Sequence, residues 1–231
     1  MARLISGLLD LAFPAICAGC SREGAALCER CRRDLDADLD RPPGVPIGLR
    51  ATVPAPLLQV EWCAPFSGVV RRAVHGLKYG GERRLAAPLG AAVARRWSAA
   101  GVAGDLLVPV PVHADRRRER GFDQALLIAS AAARELGSPL VDALERVRPT
   151  APQFELDGPA RAANVRGAFS VRPATRSAEE DGGGAVSAVA GRWVVLVDDV
   201  FTTGATLAAC AAALIEAGAA AVSAIAVARE S

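Results

Sequence analysis

Aromatic residues and net charge are both scarce in this chain of 231 residues. Phe, Trp and Tyr make up 4% of it, and 27 Lys and Arg residues nearly balance 25 Asp and Glu residues. Strong binding of single-stranded nucleic acid combines a basic groove with aromatic stacking residues, so the overall composition argues against that class of protein. Apolar residues reach 52%, which is enough for a sizeable core.

Long uninterrupted apolar runs are missing as well. No stretch of about 18 residues, the length that a transmembrane helix needs, is free of charges, so we expect no membrane insertion. The segment from Met1 to Pro14 superficially resembles a signal peptide, but Asp10 interrupts its apolar run. We interpret it as a short amphipathic helix that docks on the body of the protein, with a targeting role as the alternative. We expect a cytoplasmic location.

Four of the six cysteines form two Cys-x-x-Cys pairs near the start of the chain: Cys17, Cys20, Cys28 and Cys31. Each pair directs two thiolates at one centre, and two pairs complete a tetrahedral zinc site. Because protein would occupy all four positions, the predicted zinc is structural. An iron–sulfur cluster, two disulfides and a redox-active pair are the alternatives. Cys63 and Cys210 stand alone and are predicted to lie in the core.

The most informative stretch is the apolar run Val194–Val197 with the adjacent acids Asp198 and Asp199 behind it. Such a run is typical of a buried parallel strand, and open α/β sheets bind ligands at the carboxyl ends of their strands. A short turn then leads into a helix at 205–217, whose first N–H groups suit a phosphate. We predict that the two acids accept hydrogen bonds from ribose hydroxyls. The predicted 5′-phosphate site is the turn of Thr202, Thr203, Gly204, Ala205 and Thr206. An ordinary turn with one capping acid is the alternative.

This stretch resembles the phosphoribosyl-pyrophosphate (PRPP) motif of type I phosphoribosyltransferases, in which an apolar strand, two acids and a Thr-Thr-Gly-x-Thr run follow one another. The resemblance implies an α/β fold with a parallel sheet flanked by helices, and a ligand, PRPP or a related phosphorylated ribose, bound with Mg²⁺. The residues agree, because strand 193–197, helix 205–217 and strand 221–228 form a βαβ unit that requires a parallel sheet.

The rest of the chain is predicted to contain strands at 60–66 and 106–110 and helices at 67–79, 83–98 and 122–136. Residues 172–190, rich in Ser, Glu and Gly, are predicted to form a mobile loop. We predict three parts: a leading helix and zinc module at 1–40, a Pro-rich linker at 41–56 and a phosphoribosyltransferase-like domain at 57–231.

Basic residues follow the strand Val108-Pro109-Val110-Pro111. A turn at the end of a strand offers backbone N–H groups to an anion, and Arg binds phosphate in a bidentate way. We predict that a loop with Arg116, Arg117, Arg118 and Arg120 closes over pyrophosphate, and that Lys78 reaches a phosphate from a helix end. A solvated basic loop and an exposed Lys are the alternatives. His75 and His113 are predicted to be structural.

The motifs together resemble the ComF family, the competence-associated proteins that also include GntX. The resemblance rests on the cysteine pairs, Leu77-Lys78-Tyr79-Gly80-Gly81, the Val-Pro-Val-Pro strand with Arg117-x-x-Arg120-Gly121-Phe122 after it, Gln153, the stretch from Arg161 to Phe169, and the acid and Thr segment. The polar stretch 153–169 is predicted to face the site. One departure occurs, because the family's Gly-Phe-Asn-Gln reads Gly121-Phe122-Asp123-Gln124 here. Asp123 adds a negative charge beside the arginines, and a helix cap is its alternative role.

The ComF resemblance implies a zinc-finger segment joined to a phosphoribosyltransferase-like domain. As an enzyme, the protein would transfer a phosphoribosyl group from PRPP to an unknown acceptor, with Asp198, Asp199, Arg118 and Arg120 as catalytic residues and Mg²⁺ at the leaving group. As a non-catalytic competence protein, it would act in DNA uptake through single-stranded DNA or competence proteins. A regulator that binds PRPP without turnover is the third hypothesis.

Overall fold

The computed structural model describes residues 15–43, 53–101, 103–112, 114–147, 167–173 and 184–230. The predicted leading helix, His113, residues 153–166 of the predicted site-facing stretch and residues 174–183 of the predicted mobile loop lie outside these ranges.

Six strands and seven α-helices occur among the described residues. The strands are β1 Val60–Pro65, β2 Leu106–Pro109, β3 Leu144–Arg146, β4 Phe169–Val171, β5 Trp193–Phe201 and β6 Ala221–Arg229. The helices are α1 Glu29–Arg32, α2 Gly68–Tyr79, α3 Ala86–Ala100, α4 Ala114–Arg120, α5 Gln124–Leu136, α6 Ala185–Val189 and α7 Ala205–Glu216. Two 3₁₀ turns also occur. Arg33–Asp36 directly follows α1, and Arg83–Leu85 directly precedes α3.

The main sheet is parallel, with the strand order β1-β6-β5-β2. Side chains alternate between its two faces, so Val195 and Val197 of β5 pack with α2, α3 and α5, while Val194 and Leu196 pack with α7. Strands β3 and β4 form a separate antiparallel pair on the α7 side. The predicted parallel sheet flanked by helices is confirmed.

The cysteine module, residues 15–36, packs directly on α2 and α3. Cys17, Leu27 and Leu35 are buried in the same apolar cluster as those helices. At Gly19 the approach is so close that a Cβ would stand 2.8 Å from the Val69 side chain, and Arg72 donates a hydrogen bond to the Gly19 carbonyl at 2.8 Å. The module therefore shares a core with the domain behind it, and the predicted boundaries at 40 and 56 stay predictions.

A buried ion cluster holds the segment after the module against the sheet. The Arg96 side chain on α3 donates to the backbone carbonyls of Leu39 at 2.9 Å and Arg41 at 2.7 Å, and to the Glu61 carboxylate on β1 at 3.1 Å. Arg96 and Glu61 are 1% and 0% exposed. Buried charges persist only when they are paired and hydrogen-bonded, so this cluster specifies how the chain runs from the module to β1.

Four predictions differ from the structure. β5 runs to Phe201 instead of ending at 197, because β6 continues to pair with it as far as Phe201 and Arg229. The Arg-dense segment is the helix α4, not a loop, since Arg and Glu favour helices and Asp115 lies in the first turn, where negative charge is favourable. Phe169 does not face the site: it is buried on β4. Helix α6 also lies within the predicted mobile loop.

Candidate functional site

Asp198 and Asp199 lie on β5 just beyond the point where β2 stops pairing with it. β2 follows β5 only as far as the pair Pro109 and Val197, and the last bond runs from the Val110 N–H to the Val197 carbonyl at 2.9 Å. Proline has no N–H and cannot continue a ladder, and Pro111 follows at once. β5 therefore continues beside β6 alone. Asp198 and Asp199 extend beyond the end of β2, at the edge of the sheet where α/β proteins bind ligands.

Asp199 is held between two helices. Its Oδ1 lies 2.7 Å from Lys78 Nζ on α2, and its Oδ2 accepts a hydrogen bond from Gln124 Nε2 on α5 at 2.9 Å. Gln124 in turn accepts from the Arg120 guanidinium at 3.0 Å. Burial alone would lower the pKa of Lys78, but the Asp199 carboxylate outweighs it and raises that pKa. Lys78 is thus a charged counterion at neutral pH.

Asp198 occupies a different environment one residue earlier. Its Oδ1 accepts a hydrogen bond from the Asp199 N–H at 2.8 Å. Burial, and then the neighbouring Asp199 carboxylate, raise the pKa of Asp198 to about 8. A hard divalent cation prefers carboxylate oxygens and favours the ionised form of an acid beside it. The donor set at the strand end therefore fits Mg²⁺.

The turn after β5 needs glycine for two reasons. Gly204 has φ +78°, and a Cβ there would come within 2.8 Å of the buried Phe201 ring and 2.6 Å of Pro54. The turn ends at the N-terminus of α7, where the first helical N–H groups lack intrahelical acceptors and the dipole favours an anion. The Thr203 hydroxyl accepts from the Ala205 N–H at 3.4 Å.

A cleft of about 520 Å³ brings many of the predicted residues together. Six of them share it: Lys78, Asp198, Asp199, Thr202, Gly204 and Thr206. Seven residues of the same cleft had no predicted ligand role: Phe66, Arg71, His75, Tyr79, Val200, Leu207 and Glu230. His75 was expected to be structural, yet it is an exposed residue on the wall of this cleft.

The four predicted arginines divide into two groups. Arg116 and Arg120 line a neighbouring cleft of about 470 Å³ that shares Lys78 and Tyr79 with the first, and the Arg120 guanidinium lies 5.0 Å from the Tyr79 ring centroid. Arg117 is exposed on α4. Arg118 pairs with Asp115 at 3.0 Å, with 78% of its side chain exposed. Catalytic roles for Arg118 and Arg120 stay predictions.

Asp123, the departure from the ComF pattern, is the N-cap of α5. Its Oδ1 accepts from the Leu126 N–H at 3.1 Å and its Oδ2 from the Val112 N–H at 3.2 Å. Burial raises the pKa of Asp123. The carboxylate joins the helix start to the segment after β2, which an Asn amide would do less well because its nitrogen accepts no hydrogen bond.

The four paired cysteines converge at the other candidate site. Their Sγ atoms lie within 4.8 Å of one another, and the Cys28 N–H donates to Cys17 Sγ at 3.3 Å. Burial would raise the pKa of Cys17, but backbone hydrogen bonds lower it to about 6, whereas burial raises that of Cys31 to about 12. Four converging thiols are the donor set that zinc takes. Cys63 and Cys210 are buried in the core as predicted.

Sequence reasoning missed Gln124 and the wall of the cleft. Gln124 and Tyr79 both lie in motifs that carry the ComF resemblance, but the motifs gave no function for either residue. Phe66 and Glu230 had no such signal, because only the sheet brings the ends of β1 and β6 beside β5.

Within the described ranges, no helix has both the length and the apolar character that crossing a bilayer requires.

Comparisons with known proteins agree with this geometry. Residues 123–231, which include β5, α7 and β6, match the phosphoribosyl transferase domain. The chain is 30% identical to "DNA utilization protein YhgH" of Salmonella typhi over 215 residues, 90% of this chain and 86% of the relative. It is 29% identical to the protein of that name in Escherichia coli K12 over the same shares. "Competence protein F" of Haemophilus influenzae is 34% identical over 104 residues, 45% of this chain and 41% of that protein. With a phosphoribosyl transferase domain, a four-cysteine cluster before it, a YhgH relative that matches over most of its length and a partial match to Competence protein F, the chain belongs to the ComF family.

Proposed function

We propose that the cleft binds PRPP with Mg²⁺ and that the protein transfers the phosphoribosyl group to an acceptor. The observation that carries this proposal is the meeting of Asp198 and Asp199, the N-terminus of α7 and Lys78 in one cleft. The 5′-phosphate binds in the turn of Thr202–Thr206, and ribose hydroxyls donate hydrogen bonds to the two acids.

Pyrophosphate binds on the Lys78 side, which Arg116 and Arg120 share through the neighbouring cleft. In transfer, the C1′–O bond to pyrophosphate breaks and its electron pair leaves on the pyrophosphate oxygen. The acceptor's lone pair forms the new bond at C1′, and the acceptor's proton passes to water. Mg²⁺, when bound, supplies charge that stabilises the leaving group, while the basic side chains orient it.

The proposal includes structural zinc on Cys17, Cys20, Cys28 and Cys31, and a cytoplasmic location. Zinc explains why four thiols converge in a segment too small to be held by its own core. A site of four thiolates needs reduced cysteines, which the cytoplasm maintains. Metal analysis of the purified protein tests the first part, with about one zinc per chain expected.

Calorimetry with PRPP and Mg²⁺ tests ligand binding. The variant Asp198→Asn with Asp199→Asn should lose binding, because amides lack the negative charge that attracts the cation, and one acceptor oxygen of each carboxylate becomes a donor nitrogen. Glu135→Gln with Glu216→Gln, which removes two exposed carboxylates elsewhere, is the matched control and should bind normally. Unchanged binding in the Asp double variant would contradict the site.

Pyrophosphate release in the same sample separates the enzyme from a regulator. Release that depends on an added acceptor supports transfer. Binding with no release for any acceptor in a broad panel would support the regulatory hypothesis.

The second candidate is a non-catalytic competence protein that binds single-stranded DNA or a competence partner. The names of the relatives favour it, as does the cleft where Arg116, Arg120 and the 70% exposed Tyr79 place cations beside an aromatic ring. Fluorescence anisotropy with a labelled oligothymidine tests it. Binding that weakens steeply with salt and in Arg116→Ala would support this candidate, and no binding at low salt would exclude its DNA form.

A further inference from the structure

Helix α4 carries Arg116 and Arg120, the arginines proposed for pyrophosphate, yet it has little packing of its own. Residues 115–119 are exposed and Arg120 is half-buried. Most of the stability of a helix in a protein comes from the packing of one of its faces, and a helix of seven residues is too short to be stable alone. Contacts at the C-terminal end of α4 therefore have a large share in where its arginines lie.

One exposed side chain, Arg83, contacts both residues at that end. Its Nη2 donates a hydrogen bond to the Gly121 carbonyl at 3.2 Å, and its guanidinium carbon lies 4.8 Å from the centroid of the Phe122 ring, within the range of a cation–π interaction. Gly121 ends α4 with φ +73° and donates its N–H to the Arg117 carbonyl at 2.9 Å, while Phe122 packs against the core. Arg83 thus reaches the point at which the chain leaves α4.

The neighbouring cleft has two walls, and Arg83 joins them. The residues of the first wall come from the end of α2 and the turn after it, and those of the second come from α4 and the turn after it: Lys78, Tyr79 and Gly81, and then Arg116, Glu119, Arg120 and Phe122. Arg83 follows the first wall by two residues along the chain and contacts the second. It therefore fixes one wall of this cleft relative to the other.

We propose that Arg83 is a positioning residue, which holds α4 where Arg116 and Arg120 can bind pyrophosphate together with Lys78. The proposal rests on the proposed binding of PRPP. A group that is already in place loses less conformational freedom when the ligand binds, so the contact made by Arg83 should appear as affinity for the part of the ligand that α4 binds.

The contact made by Arg83 differs from the other one between the two walls. The Arg120 guanidinium lies 5.0 Å from the Tyr79 ring centroid and donates to Gln124. A move of Arg120 onto pyrophosphate would break its contact with Tyr79. The partners of Arg83 are a backbone carbonyl and a ring, for which an anionic ligand does not compete. Arg83 therefore still joins the walls when the cleft is occupied.

Arginine suits this position better than lysine does. Its planar guanidinium donates hydrogen bonds from its edge while its face covers an aromatic ring, whereas the ammonium of a lysine is a compact point charge. Arg83→Lys should keep the charge and part of the contact. Arg83→Met should lose both.

Calorimetry with Mg²⁺ on the full-length protein tests the proposal with two probes, PRPP and ribose 5-phosphate. Arg83→Met should weaken PRPP binding about fivefold, the effect of losing a cation–π contact, and Arg83→Lys should weaken it less. Neither should change the affinity for ribose 5-phosphate, because that probe lacks the pyrophosphate. Thermal unfolding confirms that each variant folds.

The matched control is Arg84→Met, which removes the same charge from the next residue. Arg84 is also exposed, and it pairs with Glu82 at 2.8 Å. This variant should bind PRPP as the unchanged protein does. Equal PRPP affinity in Arg83→Met and Arg84→Met would overturn the proposal, as would an Arg83→Met variant that loses affinity for both probes to the same extent.

A double-mutant cycle separates positioning from direct contact with the ligand. If Arg83 acts through α4, Arg83→Met should cost less PRPP affinity in an Arg120→Met background than in the unchanged protein, since residues that act as a unit are not additive. Fully additive losses would show that Arg83 binds the ligand itself and would overturn the positioning role.

Hydrogen–deuterium exchange without ligand separates this inference from the proposed function. The amides of 115–121 should exchange faster in Arg83→Met than in Arg84→Met, because α4 has lost a contact at its end. Equal exchange would overturn the inference even if PRPP binds. Faster exchange in a protein that binds no PRPP would support the holding of α4 by Arg83 and refute the proposed function.

Discussion

The cysteine module and the ligand cleft are built in opposite ways. The four thiols of the module come from one short segment, Cys17 to Cys31, so their spacing alone indicates a metal. The cleft takes residues from α2, from the ends of β1, β5 and β6, and from the start of α7, and only the sheet brings them together. A site formed by one segment can be recognised from the spacing of its residues. A site formed by several elements shows only its sequence motif, and the other residues that line it are known only from the structure.

The two sites also differ in how their charges are balanced. Asp199 has partners within the protein, Lys78 and Gln124, so the cleft is formed before any ligand binds. The thiols crowd together within 4.8 Å and have mainly one another and backbone N–H groups as neighbours. We therefore expect the module to depend on its metal for stability and the cleft to be preorganised.

Loss of the metal is the largest expected effect. Cys31→Ser should reduce zinc from about one per chain to near zero and lower the unfolding temperature strongly, because metal binding supplies folding free energy to such modules and this one shares a core with α2 and α3. PRPP affinity should change far less. Elemental analysis, thermal unfolding and calorimetry measure the three quantities.

The control is Cys63→Ala, which changes a buried cysteine outside the cluster. This variant should bind as much zinc as the unchanged protein. PRPP binding lost together with zinc would show that the two sites are not independent.

The ion cluster between the two regions gives the next largest effect. Arg96→Met should lower the free energy of unfolding by about 3–5 kcal/mol, because it leaves the buried Glu61 charge without its main partner. Its neighbour Arg95 pairs with Asp36 at 2.8 Å on the surface, with 42% of the Arg side chain exposed. Arg95→Met should therefore cost less than about 1 kcal/mol. Urea unfolding compares the two, and equal losses would argue against a special role for the buried cluster.

Within the cleft, the turn should be sensitive to a single methyl group. Gly204→Ala should cost about 1–3 kcal/mol of unfolding free energy and weaken PRPP binding, since a Cβ would displace Phe201 or Pro54 and the turn with them. Gly137→Ala is the matched control: Gly137 also has positive φ, +64°, but a Cβ there meets no atom within 4 Å. It should cost stability through the backbone alone and leave binding intact. Equal binding in both variants would contradict the assignment of the turn.

Asp198 should also give the stability of the protein a pH dependence. Its pKa is raised from the ordinary 3.8 to about 8 by burial and by Asp199. Between these values the folded protein holds a proton that the unfolded chain has released, so the free energy of unfolding should fall as pH rises from about 4 to about 8. Urea unfolding across this range, without added Mg²⁺, measures the slope. Asp198→Asn should flatten it, and an identical slope in that variant would assign the dependence to other groups.

The sequence predicted the parts of the cleft that lie in continuous motifs. Asp198, Asp199 and the Thr202–Thr206 turn were identifiable because a buried strand, two acids and a helix start follow one another along the chain. The cap role of Asp123 was among the alternatives that the sequence offered and is confirmed. The role of Gln124 was not identifiable, since it depends on which strand end lies next to α5. The place of His75 on the cleft was not foreseen for a related reason: helical spacing shows that it shares a face with Tyr79, but not that this face borders the cleft.

The Arg-dense segment shows a second limit. Its composition indicated phosphate binding, and we expected it to form a loop that closes over pyrophosphate. The structure has the helix α4, where Arg116 and Arg120 lie towards the cleft beside Lys78 and Arg118 pairs with Asp115. Helical periodicity of 3.6 residues per turn necessarily distributes consecutive residues over different faces, so a run of arginines in sequence is not one cluster in space.

The amino-acid sequence by itself determined the parallel βαβ unit, the converging cysteines and the acid and Thr motif, because each depends on spacing within one segment, and these motifs together with others along the chain indicated the ComF family. Only the tertiary structure decided that β2 ends before the acids, that Lys78 and Gln124 hold Asp199, and that Phe66, His75 and Tyr79 form a wall beside them. The physical reason is that sheet order and helix packing bring together residues far apart in the chain, and the free energy of those contacts depends on burial and charge that no local pattern contains.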